Sequence, residues 1–305
     1  MRLVWSDAYE VDLFGHVFPI RKYGLVREAL LGRGIAKASD FFEAWPAADE
    51  DLLLVHTPEY VDDLLNLRRS HRTQMSELAL TREIVNAYVI SAGGTLQAAR
   101  FALDDGVSVH IGGGFHHAYP DHAEGFCYVN DVAVAVRRLC QDHLVDKVAV
   151  IDCDLHQGNG TAFIFGEDPD VFTFSIHQEN NYPPKERSDL DVGLPDSAGD
   201  DLYLDELKIL GPLLDRHGPD MVFYLAGADP FEQDQLGGLT LSKAGLKKRD
   251  RIVFAECHRR DLPVCVVLAG GYAYNIQDVV DIHVATIIEA GRMWGPKDGL
   301  SNGTP

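Results

Sequence analysis

The sequence is short of basic residues, has no paired cysteines and contains no long apolar run. Lysine and arginine total 27 against 47 aspartates and glutamates, a formal net charge of −20. That charge repels a phosphate backbone, so nucleic acid is not expected as a direct partner, and it mildly favours a cationic substrate. The five cysteines, Cys127, Cys140, Cys153, Cys257 and Cys265, are odd in number and include no CxxC pair. A secreted disulfide framework is therefore not expected, and a reducing, cytoplasmic setting is. Met1 to Asp7 offers no apolar h-region, and no stretch approaches membrane-spanning length, so neither a signal peptide nor a membrane partner is expected. A domain linker is also lacking. One domain over 1–295 is expected, with 296–305 a flexible tail.

What is present is a large stock of core residues, 46% hydrophobic, in alternating blocks. Apolar runs predict strands at 3–5, 52–56, 107–111, 147–152, 171–177, 221–226 and 263–269. Helical patterns lie over 22–31, 58–68, 77–103, 129–143, 202–216, 241–260 and 278–292, with a short helix between 152 and 171. Thr57-Pro58-Glu59 supplies an N-cap, a first-turn proline and an acidic first turn for the second of these. Gly93-Gly94 interrupts the third, and 69–76 and 178–201 read as loops. Strands alternating with helices indicate an α/β fold, a mainly parallel sheet with helices on both faces.

Chemistry collects where these strands end. The run Val148 to Ile151 is followed by Asp152-Cys153-Asp154-Leu155-His156, and in an extended chain Asp152, Asp154 and His156 project to one side. Two carboxylates and an imidazole converging at the end of a buried strand are unfavourable without a cation. A divalent metal resolves this. Strand 107–111 runs into Gly112-Gly113-Gly114-Phe115-His116-His117, where flexible glycines can bring adjacent histidines into one site. Strand 221–226 leads to Asp229, and strand 263–269 to Gly270-Gly271-Tyr272. His16, in a loop, and His56, at the end of strand 52–56, are further candidates. In parallel sheets ligands bind beyond the carboxyl ends of the strands, so these stretches are expected to meet.

Taken together, GGGFHHA at 112–118, GFCYVND at 125–131, DCDLHQGNG at 152–160, LAGAD at 225–229 and AGGY at 269–272 resemble the zinc-dependent histone deacetylase family. HTPEYVDDL at 56–64 extends the similarity towards the amino terminus, and HQGNG is closest to the class IV and bacterial amidohydrolase branch. The resemblance implies a three-layer arginase-deacetylase fold and hydrolysis of an N-acyl amine, foremost Nε-acyl-lysine in proteins or peptides. Carried over by motif, Asp154, His156 and Asp229 hold the metal, Zn²⁺ with Fe²⁺ or Co²⁺ as other ions. His116, His117 and Tyr272 are catalytic, with His117 the general base and acid and Tyr272 the oxyanion donor. Asp152 orients His116, and Asn159 is the partner of His117. Gly125, Phe126, Tyr182 and Leu236 form the substrate tunnel. A structural K⁺ is implied among Asp152, Asp154, His156, Ser175 and Ile176.

Two departures qualify the resemblance. Members of the family often carry an aspartate where this chain has Asn159, which leaves His117 less basic. Leu236 stands where a polyamine-specific member carries an acidic gatekeeper, which weakens the alternative of an acetylpolyamine or other small acylamine as substrate. A non-catalytic acyl-lysine-binding protein is a further alternative. An arginase-like ureohydrolase lacks support, because Gly158 and Phe231 deny His156 and Asp229 the acidic partners a two-metal site needs.

Overall fold

The computed structural model describes residues 1–295; 296–305, expected to be a flexible tail, lie outside the described residues. Eight strands form one sheet: β1 (Arg2–Trp5), β2 (Phe41–Glu43), β3 (Val107–His110), β4 (Val148–Asp152), β5 (Val171–Gln178), β6 (Leu190–Leu194), β7 (Met221–Leu225) and β8 (Val264–Val267). Their order is β2-β1-β3-β8-β7-β4-β5-β6, with every neighbouring pair parallel. All residues of β3, β4, β7 and β8 are buried, which is why they read as unbroken apolar runs.

The covering helices form two packed groups. Arg82–Asp105 lies against Asp131–Gln141, and Ile276–Trp294 lies against Lys22–Gly32 and Lys243–His258. Side chains cap several helices where the sequence supplies them: Thr57 Oγ1 accepts from Tyr60 N at 3.4 Å, and Asn130 Oδ1 from Ala133 N at 3.0 Å. No described helix is long and apolar enough to cross a membrane.

Several expectations are corrected. Residues 52–56 are not a strand: Asp49–Leu52 is a helical turn whose Asp51 carboxylate accepts from Ala48 N, and Leu53 faces solvent. The long helix begins at Arg82, because Glu77 adopts a positive φ of 66° that a helix cannot contain. It runs through Gly93-Gly94 without a break. A Cβ at Gly93 would lie 2.0 Å from the carbonyl oxygen of Trp45, so the glycine admits a crossing backbone. The 69–76 loop holds a helical turn at His71–Gln74, and the 178–201 loop holds β6. Helix 202–216 is divided into Asp200–Glu206 and Leu210–His217, with Pro212, which has no N–H to donate, in the first turn of the second piece.

Candidate active site

The strand order decides where the site lies. β3, β8, β7 and β4 are consecutive in the sheet, and their carboxyl ends carry the histidine pair, Tyr272, Asp229 and the Asp154–His156 segment respectively. Four stretches far apart in sequence thus leave the sheet side by side.

β4 ends at Asp152 and the chain turns, which separates the three candidates first placed on one strand face. Asp152 Oδ1 accepts from Asp154 N at 3.0 Å, and Oδ2 lies 2.6 Å from His116 Nδ1. Asp152 therefore supports a histidine. Asp154, His156 and Asp229, all buried, each offer one ligand atom, and these atoms lie within 4.8 Å of one another. His156 Nδ1 is 3.3 Å from both Asp154 Oδ1 and Asp229 Oδ2. The carboxylates are fixed from behind by backbone donors: Gly270 N to Asp154 Oδ2 at 2.7 Å and Leu155 N to Asp229 Oδ1 at 2.9 Å.

This donor set fits a divalent cation. Asp229 Oδ2 is buried and makes no hydrogen bond, so it points a lone pair into the cluster with nothing to receive it. Burial first, and then the charge of Asp154, pushes the Asp229 carboxyl up to about 7. One oxygen-oxygen-nitrogen set with room for further ligands is the pattern of a catalytic metal centre. Gly270 is required for the approach. Its Cβ would stand 2.0 Å from Asp229 Oδ2.

The tandem histidines are brought together by an irregular backbone. Gly113 and Gly114 take positive φ values of 69° and 82°, and the buried Asp131 carboxylate accepts from Gly114 N at 3.0 Å and Phe115 N at 2.7 Å, holding the turn. His116 Nε2 then lies 3.1 Å from His117 Nε2 and 3.8 Å from Asp154 Oδ1. His117 Nδ1 lies 2.7 Å from Asn159 Oδ1. Burial lowers both imidazoles, but the charges of Asp152 and Asp154 outweigh it at His116 and bring it up to about 9. His117, with burial and the neighbouring His116 acting on it and only an amide behind it, is held well below the ordinary value.

A cavity of about 170 Å³ leads to these groups, lined by Gly125, Phe126, Tyr182, Leu236, Tyr272, His117 and His156, together with Glu77 and Asn181. Phe126 has a positive φ of 65°, an uncommon conformation for an aromatic residue, and is pinned by Ser76 O on its N–H and by the Tyr88 hydroxyl on its carbonyl. Its ring stands 6.1 Å from that of Tyr272 in an edge-to-face arrangement. Tyr272 is buried beside Asp154 and Asp229, and burial followed by those charges keeps its hydroxyl protonated.

The sequence reading missed Lys22, which is buried in the Lys22–Gly32 helix and donates to Ala269 O at 2.5 Å, 5.7 Å above the Tyr272 ring. It braces the turn that presents Tyr272, where Ala269 has a positive φ of 51°. Burial lowers its pKa to about 8 against the raising effect of Asp229 and Asp154. Glu77 and Asn181 were missed as well, and neither carries a motif. Ser175 sits beside Asp152 in the β4–β5 register, but its hydroxyl is 2.9 Å from His177 Nδ1; Ile176 follows on the same strand. His16 packs edge-on against Phe126 at 4.6 Å and does not line the cavity. His56 lies inside the scaffold, 3.0 Å from Tyr119 O and accepting from Asn130 N at 3.2 Å.

Comparison with known proteins gives one consistent result. A family model described as the histone deacetylase domain matches residues 16–287. An uncharacterized protein of Picosynechococcus sp. is 41% identical over 271 residues, covering 88% of this chain and 90% of that protein. A histone deacetylase-like amidohydrolase of Pseudomonas aeruginosa is 31% identical over 263 residues, covering 79% of this chain and 68% of its own length. Among solved structures, an acetylpolyamine aminohydrolase from Burkholderia pseudomallei superposes with a TM-score of 0.80, covering 96% of this chain and 99% of that one at 19% identity.

Proposed function

The chain belongs to the histone deacetylase family and is a metal-dependent amide hydrolase, and from that premise we propose that it removes acyl groups from Nε-acyl-lysine in proteins or peptides. The observation that carries this reading is the meeting, at the end of one narrow cavity, of the Asp154–His156–Asp229 donor set, the His116–His117 pair and Tyr272. We take residues 1–295 as one deacetylase domain, which the single sheet supports, and its five free cysteines suit a reducing, cytoplasmic setting.

A divalent ion on Asp154, His156 and Asp229, which we assign as Zn²⁺ with Fe²⁺ or Co²⁺ also compatible, supplies Lewis acidity that polarises the acyl carbonyl and makes water acidic enough to react near neutrality. The chain's own groups do the rest. Gly125, Phe126, Tyr182 and Leu236 enclose the aliphatic stem of the lysine and exclude water from it. His117, protonated at Nδ1 towards Asn159, keeps the Nε2 lone pair on the site side and accepts the proton of the attacking water. The same nitrogen returns that proton to the departing amine, so one water and one amide become a carboxylate and an amine. His116, fixed by Asp152, keeps its Nε2 turned to the same point. The Tyr272 hydroxyl donates to the oxygen that gains charge as the carbonyl is attacked. A structural K⁺ beside Asp152, with Ser175, Ile176 and the backbone of Asp154 and His156, belongs to the same proposal.

A second reading, a small acylamine such as an acetylpolyamine, draws on Glu77, whose exposed carboxylate stands at the cavity mouth. The structural likeness to an acetylpolyamine aminohydrolase speaks for the fold alone at its level of identity. Assay of acetyl-lysine peptide, longer acyl-lysine peptides and acetylpolyamines side by side decides between them. Asp154→Asn is expected to lose bound metal and turnover together, and Tyr272→Phe to lower kcat by about 10²-fold. Undiminished turnover by Asp154→Asn would overturn the metal assignment, and faster turnover of acetylpolyamine than of peptide would favour the second reading.

A further inference from the structure

The reading of His117 as the base requires one particular tautomer, with the proton on Nδ1 and the lone pair on Nε2. An aspartate behind Nδ1 would enforce it unaided, because an ionised carboxylate only accepts. Asn159 does not. A side-chain amide has an acceptor at one end and donors at the other, and turned about it would donate to His117 Nδ1 and move the imidazole proton to Nε2, where no lone pair would face the site. What lies on the far side of the amide, together with His116 Nε2 at 3.1 Å from His117 Nε2, therefore bears on the state of the base.

Asn159 is fully buried and its Nδ2 has two neighbours, Glu124 Oε1 at 3.0 Å and Tyr119 Oη at 3.1 Å. The tyrosine hydroxyl donates to Glu186 Oε1 at 3.3 Å and is left to accept from Nδ2, so it favours the orientation that presents Nδ2. The carboxylate selects: only the orientation that presents Nδ2 avoids placing Asn159 Oδ1 against a second acceptor-only group. Glu124 is itself held, with the Tyr182 hydroxyl donating to Oε1 at 3.0 Å and His122 Nε2 3.5 Å from Oε2. Although burial pushes its carboxyl up, hydrogen bonds from His122, Asn159 and Tyr182 hold it below the ordinary value, so it is ionised where it is needed.

We propose that Glu124 is a positioning residue of the active site: through the Asn159 amide it fixes the Nδ1–H tautomer of His117, and through the Tyr182 hydroxyl it fixes the adjacent tunnel wall. The charge that usually stands directly behind such a base has been moved one amide outward, to the residue immediately before tunnel-lining Gly125. A dependence on residue 159 follows. With aspartate at 159, Glu124 has no amide to orient and instead places a second carboxylate beside the first.

The proposal rests on the reading of His117 as base, and the test separates the two. The ¹⁵N resonances of the His117 ring, identified by their loss in His117→Gln, report the tautomer in the metal-loaded enzyme, and kcat on acetyl-lysine peptide is measured alongside. Glu124→Leu is expected to convert His117 from Nδ1–H to a mixture and to lower kcat roughly tenfold, a fraction of what a general base contributes. Tyr182→Phe, which removes only the tunnel-wall bond, is expected to leave the tautomer unchanged. In an Asn159→Asp background, Glu124→Leu is expected to lose only what the bond to Tyr182 contributes, the loss that Tyr182→Phe reads by itself. An unmoved tautomer in Glu124→Leu, or the same fold-loss in both backgrounds, overturns the proposal. If Glu124→Leu does not fold, Glu124→Met, which keeps the length of the side chain and has no acceptor oxygen, carries the same comparison. A tautomer that responds to Glu124 while His117→Gln keeps full turnover supports the positioning role and removes His117 as the base.

Discussion

His116 and His117 are neighbours in the chain, equally buried, and only 3.1 Å apart at Nε2, yet they are supported in opposite ways. A carboxylate, Asp152, stands behind the first and an amide, Asn159, behind the second. The carboxylate favours an imidazolium and the amide a neutral ring, which is how two identical side chains in one low-dielectric pocket come to differ in charge. Residue type alone does not assign the base; the atom behind each Nδ1 does.

Exchanging or removing these supports tests that contrast. The largest effect is expected from deleting the rings: His117→Ala lowers kcat by about 10²–10⁴-fold, and His116→Ala by clearly less, measured as steady-state turnover on acetyl-lysine peptide. A larger loss in His116→Ala would invert the assignment. A smaller effect comes from making the supports alike. Asp152→Asn keeps an oxygen to accept from Asp154 N but turns an NH2 group towards His116 Nδ1 in place of the carboxylate oxygen, and should lower unfolding stability by about 1–3 kcal/mol, the scale for an unmatched buried polar group, read from urea denaturation at pH 7. Unchanged stability would mean the pair contributes only orientation.

The third test uses histidines that no carboxylate backs. His56 and His110 are buried and lowered by burial to about 4 and about 3. Their folded values lie below the unfolded value of about 6.5, so the unfolded state binds more protons in acid. Their contribution is complete above about pH 6.5 and is lost progressively as pH falls towards 4 and then 3. Urea midpoints should decline across that window, and His56→Gln should flatten part of the decline. A midpoint independent of pH between 7 and 5 would contradict the neutral assignment.

Much of this site was legible because its residues sit at strand ends in compact motifs. Asp154, His156, Asp229, the histidine pair and Tyr272 each follow an apolar run, and parallel-sheet geometry brings such ends together whatever their separation in sequence. From the strand pattern alone Asp152 was one of three equivalent candidates, since nothing local showed that the strand stops there; the motif resemblance set it behind His116. Lys22 and Glu124 were missed because they work through partners remote in sequence, and Glu77 because it only lines the cavity; a lone charge in a helix or loop reads as solvated. Glu124 had a faint signal in directly preceding Gly125. Among the strands, 52–56 failed because a short apolar run does not distinguish a strand from a helical turn. β6 was overlooked inside a polar loop, although Leu190, Val192 and Leu194 alternate with Asp191 and Gly193 as an edge strand should.

The strand order also governs how this protein is made. β3 and β4 are successive in the chain but not in the sheet, and the gap between them is filled by β7 and β8. Until residues 221–267 have left the ribosome, the two halves of the sheet have nothing to join them, and β3 and β4 each present a raw apolar edge. The last strand to be synthesised is the one that docks against β3 on one side and β7 on the other. Assembly of the site therefore coincides with closure of the sheet, and a nascent chain arrested before β8 holds its histidines and its first metal ligands on separate, aggregation-prone fragments.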